Sequence, residues 1–288
     1  MIMEGILKNW KGFLNEEITS KGKVKLKYYS FDWDDNLIKM PTKILFKDVK
    51  NGGIKEVDTH SFAVIRSKLP ELGLEYLPNE GSFINFRDND KANEDFIHDA
   101  VSAPTAKAWP AFVKAINSAS FFAIITARGH SPQTLRLGVK AVIEAEKEGI
   151  SKEQLINSIK KYYEVTKIRL PTQDEDALIN LYLSKCQFSP VSHPSIAGSG
   201  GNAAASPEKL KEIEFNNFKK KMQKISGKLR QRNMKLTLND AGFLESHEFE
   251  IGFSDDDIKN VKHMAQATKN ARTVSVFQTD ETGVTKVK

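Results

Sequence analysis

Cysteine is almost absent from this chain: Cys186 is the single thiol in 288 residues. One thiol can neither close an internal disulfide nor build a cysteine-based zinc site. Its scarcity suits a reducing cytosol. Long apolar runs are also missing, and none approaches the ~18 residues that mark a membrane span. The opening stretch Met1 to Lys25 mixes Trp10, Phe13, Glu16, Glu17 and lysines, without the apolar segment of a secretory signal. The histidines, at positions 60, 98, 130, 193, 247 and 263, include no i, i+4 ligand pair, which leaves zinc unsupported. No repeat recurs at a fixed period. Gly198-Ser199-Gly200-Gly201 lacks the Gly-Lys-Ser/Thr ending of a nucleotide-binding loop and reads as linker. The expectation from these absences is a cytoplasmic globular protein with no membrane partner.

The chain has 40% hydrophobic and 28% charged residues, a balance that argues against wholesale disorder. Its length corresponds to about two domains, or to one enlarged by insertions, and it can bury a large core without staples. Lysine and arginine number 43 against 37 aspartates and glutamates, a net charge of +6. That excess favours anionic partners, phosphorylated metabolites or nucleic acid, without choosing between them.

Residues 24 to 31, VKLKYYSF, read as a strand running into Asp32, Asp34 and Asp35. Residues 44 to 64 read as a hairpin about Asn51-Gly52-Gly53, and 66 to 104, with Pro70, Pro78 and Pro104, as a loop-rich insertion. Pro110 opens a short helix, and FFAIIT, 121 to 126, reads as a buried parallel strand. Leu135, Val139, Val142 and Ile143 make one helical stripe that Gly149 ends. Helices over 152 to 164 and about 174 to 184 follow, then a flexible loop over 187 to 206. Ser206-Pro207 starts a helix carrying Phe215, Phe218, Met222, Ile225 and Leu229. A strand over 247 to 253, a helix through Ile258, Val261 and Ala265, and a strand over 273 to 277 complete an α/β order with a largely parallel sheet.

Three apolar strands end in residues able to do chemistry: Phe31-Asp32-Trp33-Asp34, Ile124-Ile125-Thr126, and Phe253-Ser254-Asp255-Asp256. In an open α/β sheet, ligands bind beyond the carboxyl ends of the strands. Clustered carboxylates repel unless neutralised, and Mg²⁺ is an economical partner because it binds through one or two carboxylates with water and phosphate. Asp32, Asp34 and Asn36 also resemble the start of a calcium loop, but Leu37 stands at its glycine position and Lys43 at its glutamate position. Acidic runs after strands also read simply as helix caps, Asp255 to Asp257 above all.

The segment Phe31-Asp32-Trp33-Asp34-Asp35-Asn36-Leu37 resembles the first motif of the haloacid dehalogenase superfamily of phosphohydrolases. Ile124-Ile125-Thr126-Ala127-Arg128-Gly129 is similar to its second, and Phe253 to Val261, two aspartates followed after three residues by Asn260-Val261, to its fourth. The resemblance spans the sheet-forming parts, about half the chain. It implies a Rossmann-like three-layer α/β sandwich with inserted cap elements, and a Mg²⁺-dependent phosphomonoester hydrolase. Asp32 would be the nucleophile and Asp34 the general acid and base. Asp32, the backbone carbonyl of Asp34, and Asp255 would hold Mg²⁺, with Asp256 close by. Thr126 and the backbone amides of Ala127 and Arg128 would bind the phosphoryl oxygens. The third-motif lysine has two candidates, Lys209 and Lys211, with Lys211 preferred narrowly; helix lysines are also commonly solvated. The family commonly has threonine where this chain has Asn36.

The resemblance divides the chain into a core, 1 to 43 and 105 to 288, with a helical insertion around 150 to 206, and a hairpin flap and small cap over 44 to 104. Arg66, Arg87, His60 and Arg128 are candidate substrate contacts, and His130 a candidate for the pocket rim. The expected partner is a phosphorylated small molecule. A nucleic-acid-end or nucleotide phosphatase is the alternative, through the basic helix with Lys219 to Lys221, Lys228, Arg230 and Arg232. A non-catalytic binding protein that keeps the fold is a further one.

Overall fold

The computed structural model describes residues 17–18, 24–165, 168–198, 205–237 and 248–288. Most of the Met1 to Lys25 stretch, the Gly200-Gly201 linker and His247 lie outside them, as do the side chains of Leu229, Arg230 and Arg232.

The chain opens with β1 (Glu17–Ile18) and β2 (Val24–Phe31). β3 (Lys43–Asp48) and β4 (Ile54–Asp58) form the expected hairpin, in which Gly52 and Gly53 take φ of 77° and 83°, values that L side chains resist. The hairpin stops earlier than its sequence pattern: Thr59–Ile65 is helix α1, because the Asp58 carboxylate caps it by accepting from the amide and hydroxyl of Ser61. α2 (Leu69–Leu72) and β5 (Leu74–Tyr76) follow, and β5 completes a three-stranded antiparallel sheet with β3 and β4. A 3-10 turn (Gly81–Phe86) leads to α3 (Asp90–Ser102), capped by Asn89. The loop-rich reading of 66 to 104 is therefore corrected: a local Asn cap and a 13-residue helix occupy its second half.

α4 (Trp109–Asn117) carries Pro110 in its first turn, and β6 (Phe122–Thr126) is buried at every position. α5 (Pro132–Glu144) is capped by Ser131 and buries the expected stripe. It ends before Gly149, which instead closes a 3-10 turn with φ of 90°. After α6 (Lys152–Val165) and α7 (Glu175–Lys185), the stretch read as a flexible loop begins with a strand, β7 (Gln187–Pro190). Gln187-Phe188-Ser189-Pro190 has no periodic signature of its own; pairing with β6 makes it a strand. α8 (Pro194–Ala197), α9 (Pro207–Thr237), β8 (Glu248–Asp255), α10 (Ile258–Ala267), β9 (Val274–Asp280) and β10 (Gly283–Lys286) complete the fold.

The main sheet has seven strands in the order β10-β9-β8-β2-β6-β7, with β1 paired to the start of β2. All pairings from β9 to β7 are parallel; β10 and β1 are antiparallel to their neighbours. This is a Rossmann-like α/β sheet. Strand alternation feeds its two faces. Phe31, Phe122 and Ile124 pack with α3 to α7, whereas Tyr28, Ala123, Ile125, Ile251 and Phe253 pack with α9 and α10. Residues 152–190, read as part of an insertion, are built into the body: Leu155, Ile159, Leu178 and Leu183 share the first cluster, and β7 lies in the sheet. α3 likewise belongs to the body through Phe96 and Ala100. A separate cluster, Ile44, Phe46, Val57, Leu69, Leu74 and Phe86, holds the three-stranded sheet and its helices together. No helix among the described residues is long and apolar enough to cross a membrane.

The chain lays β6 and β7 on one side of β2, then returns to lay β8 and β9 on the other. That reversal is the topological switch point where α/β sheets open a crevice. Phe31 lies beside both Ile124 and Ser254. The residues following each strand therefore leave the sheet at the same edge.

Candidate active site

The backbone turns at the end of β2 while its last amide is still held: Asp32 N–H donates to the Ser254 carbonyl at 3.0 Å. Asp32 and Asp255 thereby become neighbours although they are distant in sequence. Lys211, in the first turns of α9, lies between them and is 1% exposed. Its Nζ is 2.7 Å from Asp255 Oδ2 and 3.1 Å from Asp32 Oδ2. Asp255, fully buried, also accepts from Asn260 Nδ2 and the Asp257 amide, both at 3.0 Å. Asp257 caps α10 by accepting the Lys259 amide. Both readings of the acidic run thus apply, to different residues: Asp257 is a cap, and Asp255 enters the cluster.

Burial raises the Asp32 carboxyl to about 7; Lys211 opposes the rise and the charges of Asp255 and Asp34 add to it. Burial, then the Asp255 and Asp32 carboxylates, pushes Asp256 up to about 9. Burial works against the Lys211 charge, but Asp255 and Asp32 outweigh it and hold the ammonium well above the usual lysine range. One lysine does not satisfy this group. Asp32 Oδ1 is buried without a hydrogen-bond partner among the described residues. Ligand oxygens of Asp32, Asp255 and Asp256 lie within 4.8 Å of one another. An orphaned carboxylate oxygen beside two further carboxylates fits a hard, oxygen-liganded dication such as Mg²⁺.

Asp34 does not join that triad. Its carboxylate is engaged on both oxygens by Arg128, with Nε–Oδ2 at 2.8 Å and Nη2–Oδ1 at 2.7 Å. Its carbonyl accepts the Asn36 amide at 2.6 Å. Arg128 is 1% exposed, bonds Thr42 Oγ1 at 2.9 Å, and lies 4.8 Å from the Phe86 ring and 5.0 Å from the Phe96 ring. The sequence gives Arg128 only a backbone amide and a general candidacy for substrate contact. Its pairing with Asp34 needs two chain segments far apart, and no local signal reports it. The Arg128 amide reaches Thr126 Oγ1 at 3.4 Å, and Thr126 is buried at the end of β6.

Asn36 stands at a junction. Its Nδ2 donates to the Asp32 carbonyl and to Ser254 Oγ, both at 3.1 Å, and its Oδ1 accepts from Thr279 at 2.9 Å. An amide spans the ends of β2, β8 and β9, which a threonine hydroxyl is too short to do.

Asp32, Asp34, Thr126, Ala127, Arg128, Lys211 and Asp256 all line one cavity of ≈ 440 Å³. Comparison with known proteins finds no matching family model, no matching curated protein and no matching solved structure.

Lys209 is outside the site: it is half exposed and pairs with Glu212 at 2.8 Å. Arg66 and Arg87 line the cavity, whereas His60 is exposed and absent from its lining. His130 is buried behind the site, with Nε2 3.2 Å from the Ala92 carbonyl and its ring against Phe96. Burial and then Arg128 push its pKa down to about 4, so it packs as a neutral ring. In the basic helix, Lys221 is already tied to the Cys186 carbonyl at 3.0 Å.

Proposed function

We propose that the chain is a Mg²⁺-dependent phosphomonoester hydrolase working through an aspartyl-phosphate, as its resemblance to the haloacid dehalogenase superfamily implies. The observation that carries this reading is the meeting of Asp32, Asp256 and Lys211 on the floor of one cavity at the switch point, with the fully buried Asp255 bonded to Lys211 behind them. Asp32, Asp255 and Asp256 would hold the metal, which supplies positive charge where a carboxylate must approach a phosphate.

An Asp32 carboxylate oxygen attacks phosphorus, and the ester P–O bond breaks. A proton from Asp34 goes to the departing alkoxide, releasing the alcohol. Asp34, now a carboxylate, takes a proton from water as the water oxygen attacks phosphorus. The acyl-phosphate bond breaks, inorganic phosphate leaves and Asp32 is restored. Lys211 offsets negative charge on Asp32 and the phosphoryl group. Thr126 donates its hydroxyl to a phosphoryl oxygen. Because Arg128 holds both oxygens of the Asp34 carboxylate, acid catalysis requires Arg128 to release one of them and that oxygen to take up a proton from solvent before the ester is cleaved; the proton later taken from the attacking water restores it for the next turnover.

Phosphate release from p-nitrophenyl phosphate with Mg²⁺ tests the reading. It requires activity that EDTA abolishes and that Asp32→Asn abolishes with the fold retained. A binding protein that keeps the fold is the second reading, favoured by the full engagement of Asp34 with Arg128. It expects Mg²⁺-dependent binding of phosphate esters with no release. The nucleic-acid version expects strongly salt-dependent oligonucleotide binding.

A further inference from the structure

The cavity is chemically two-sided. Its floor is charged, but Phe62, Tyr76, Phe83 and Phe86 of the three-stranded cap unit line it from above. Tyr76 and Phe83 are stacked with centroids 5.9 Å apart, and Phe62 meets Phe83 edge-on at 6.0 Å. Tyr76 is 52% exposed, and Phe62 and Phe83 are partly buried against the cap's core, the Phe83 ring 6.3 Å from that of Phe86. Phe86 is spent on that core, while Phe62, Tyr76 and Phe83 are not fully buried and line the cavity. A wall of this kind disfavours a polyhydroxylated ligand, whose hydroxyls would be buried against carbon without partners. It favours a flat ring, which stacks or meets edges. A volume of ≈ 440 Å³ falls in the range of small-molecule sites.

Two arginines of the cap unit add polarity to this wall. Arg66 Nη2 binds Asp257 at 3.0 Å; Arg87 binds the Ser192 carbonyl through Nη1 at 3.0 Å and Glu80 through Nη2 at 2.9 Å. Their charges are thus already answered by carboxylates. Each still has a buried Nε without a hydrogen-bond partner among the described residues. A buried donor left unpaired is costly, so a shift of either guanidinium that turns its Nε to the cavity and pairs it with a ligand acceptor is favourable. Because the charges are paired, a neutral acceptor suffices, such as a ring nitrogen or carbonyl. The same arginines fasten the wall over the floor. Gly129 N–H donates to the Phe86 carbonyl at 2.9 Å, and a Cβ on Gly129 would lie 2.7 Å from Arg87 Nη1.

We propose that this site takes phosphomonoesters whose alcohol portion carries an aromatic ring bearing hydrogen-bond acceptors, either a nucleobase or a substituted aryl group. The inference rests on the phosphohydrolase reading and adds the substrate class to it. Adenosine 5′-monophosphate and ribose 5-phosphate share one primary-alcohol leaving group and differ in the ring. 2-(4-Nitrophenyl)ethyl phosphate and propyl phosphate make the corresponding aryl comparison. With the full chain and Mg²⁺, kcat/KM is at least about tenfold higher for the ring-bearing member of one pair, and that pair identifies the source of the ring. Tyr76→Ala, at a half-exposed position, narrows that ratio several-fold. Equal kcat/KM within both pairs, or a ratio that Tyr76→Ala leaves intact, overturns the proposal while the hydrolase reading stands. If no ester is hydrolysed, the hydrolase reading fails, and calorimetry with Mg²⁺ decides ring recognition by itself. A tenfold weaker Kd for ribose 5-phosphate than for adenosine 5′-monophosphate, or for propyl phosphate than for 2-(4-nitrophenyl)ethyl phosphate, supports it; equal affinities within both pairs, or no binding of any of the four, overturn it.

Discussion

The Asp34–Arg128 pair makes a sharp test of how the buried charges are arranged. Arg128 is 1% exposed and Asp34 is 8% exposed, and two hydrogen bonds of 2.8 and 2.7 Å join them. Asp34→Leu leaves a guanidinium between Phe86 and Phe96 with Thr42 as its remaining side-chain partner. Arg128→Met leaves a carboxylate facing apolar atoms. Removing one partner of a buried pair costs about 3–5 kcal/mol, because the other charge stays desolvated. Removing both replaces the pair by apolar side chains against two aromatic rings, at a cost of about 1 kcal/mol or less. The double variant is then more stable than the sum of the single losses by several kcal/mol. Urea unfolding of the four proteins, followed by tryptophan fluorescence and circular dichroism, measures this from midpoints at a common slope. Trp33 packs on Phe96 with centroids 5.4 Å apart, so fluorescence reports this region. Losses that add to within ~0.5 kcal/mol would show that the two charges do not depend on each other, and would refute the reasoning.

Lys211→Met in metal-free buffer at neutral pH leaves Asp32 and Asp255 facing each other and lowers stability by about 3–5 kcal/mol, read from the urea midpoint. Mg²⁺ raises the melting temperature of the unmodified chain by preferential binding to the folded state, about 2.7 kcal/mol at a hundredfold excess over Kd; scanning calorimetry shows this response lost in Asp255→Asn. His130 has a folded pKa of about 4, below its ordinary 6.5. The unfolded chain therefore binds more protons between those values. The contribution is complete above pH 6.5 and falls away as pH drops towards 4, by on the order of 3 kcal/mol. His130→Gln flattens the urea midpoint across that window; an unchanged slope would rule His130 out as its source.

Much of the fold was legible because its signals are local. Apolar runs marked β2, β6 and β8, and Pro or Ser/Thr/Asn/Asp caps marked α4, α5, α9 and α10, since capping and burial periodicity act within a few residues. β7 was not legible: Gln187 to Pro190 become a strand only by lying beside β6. Asp58 is the last residue of the hairpin strand β4 and also caps α1, so the strand stops there although its sequence pattern runs on to residue 64. Helix α3 was obscured by prolines at either side of it.

For the candidate site, the sequence by itself determined the chemical inventory: acidic residues and a threonine where apolar strands run out. The tertiary structure decided which of them meet. Lys209 and Lys211 are two residues apart on one helix, so they point about 200° apart, and packing on the sheet turned Lys211 inward between Asp32 and Asp255. The same packing joined Asp34 to Arg128, Asn36 to Thr279, and Arg66 to Asp257. These pairings depend on the order in which strands are laid beside β2. That order is a long-range property, whereas the composition of each strand end is written in a few adjacent residues.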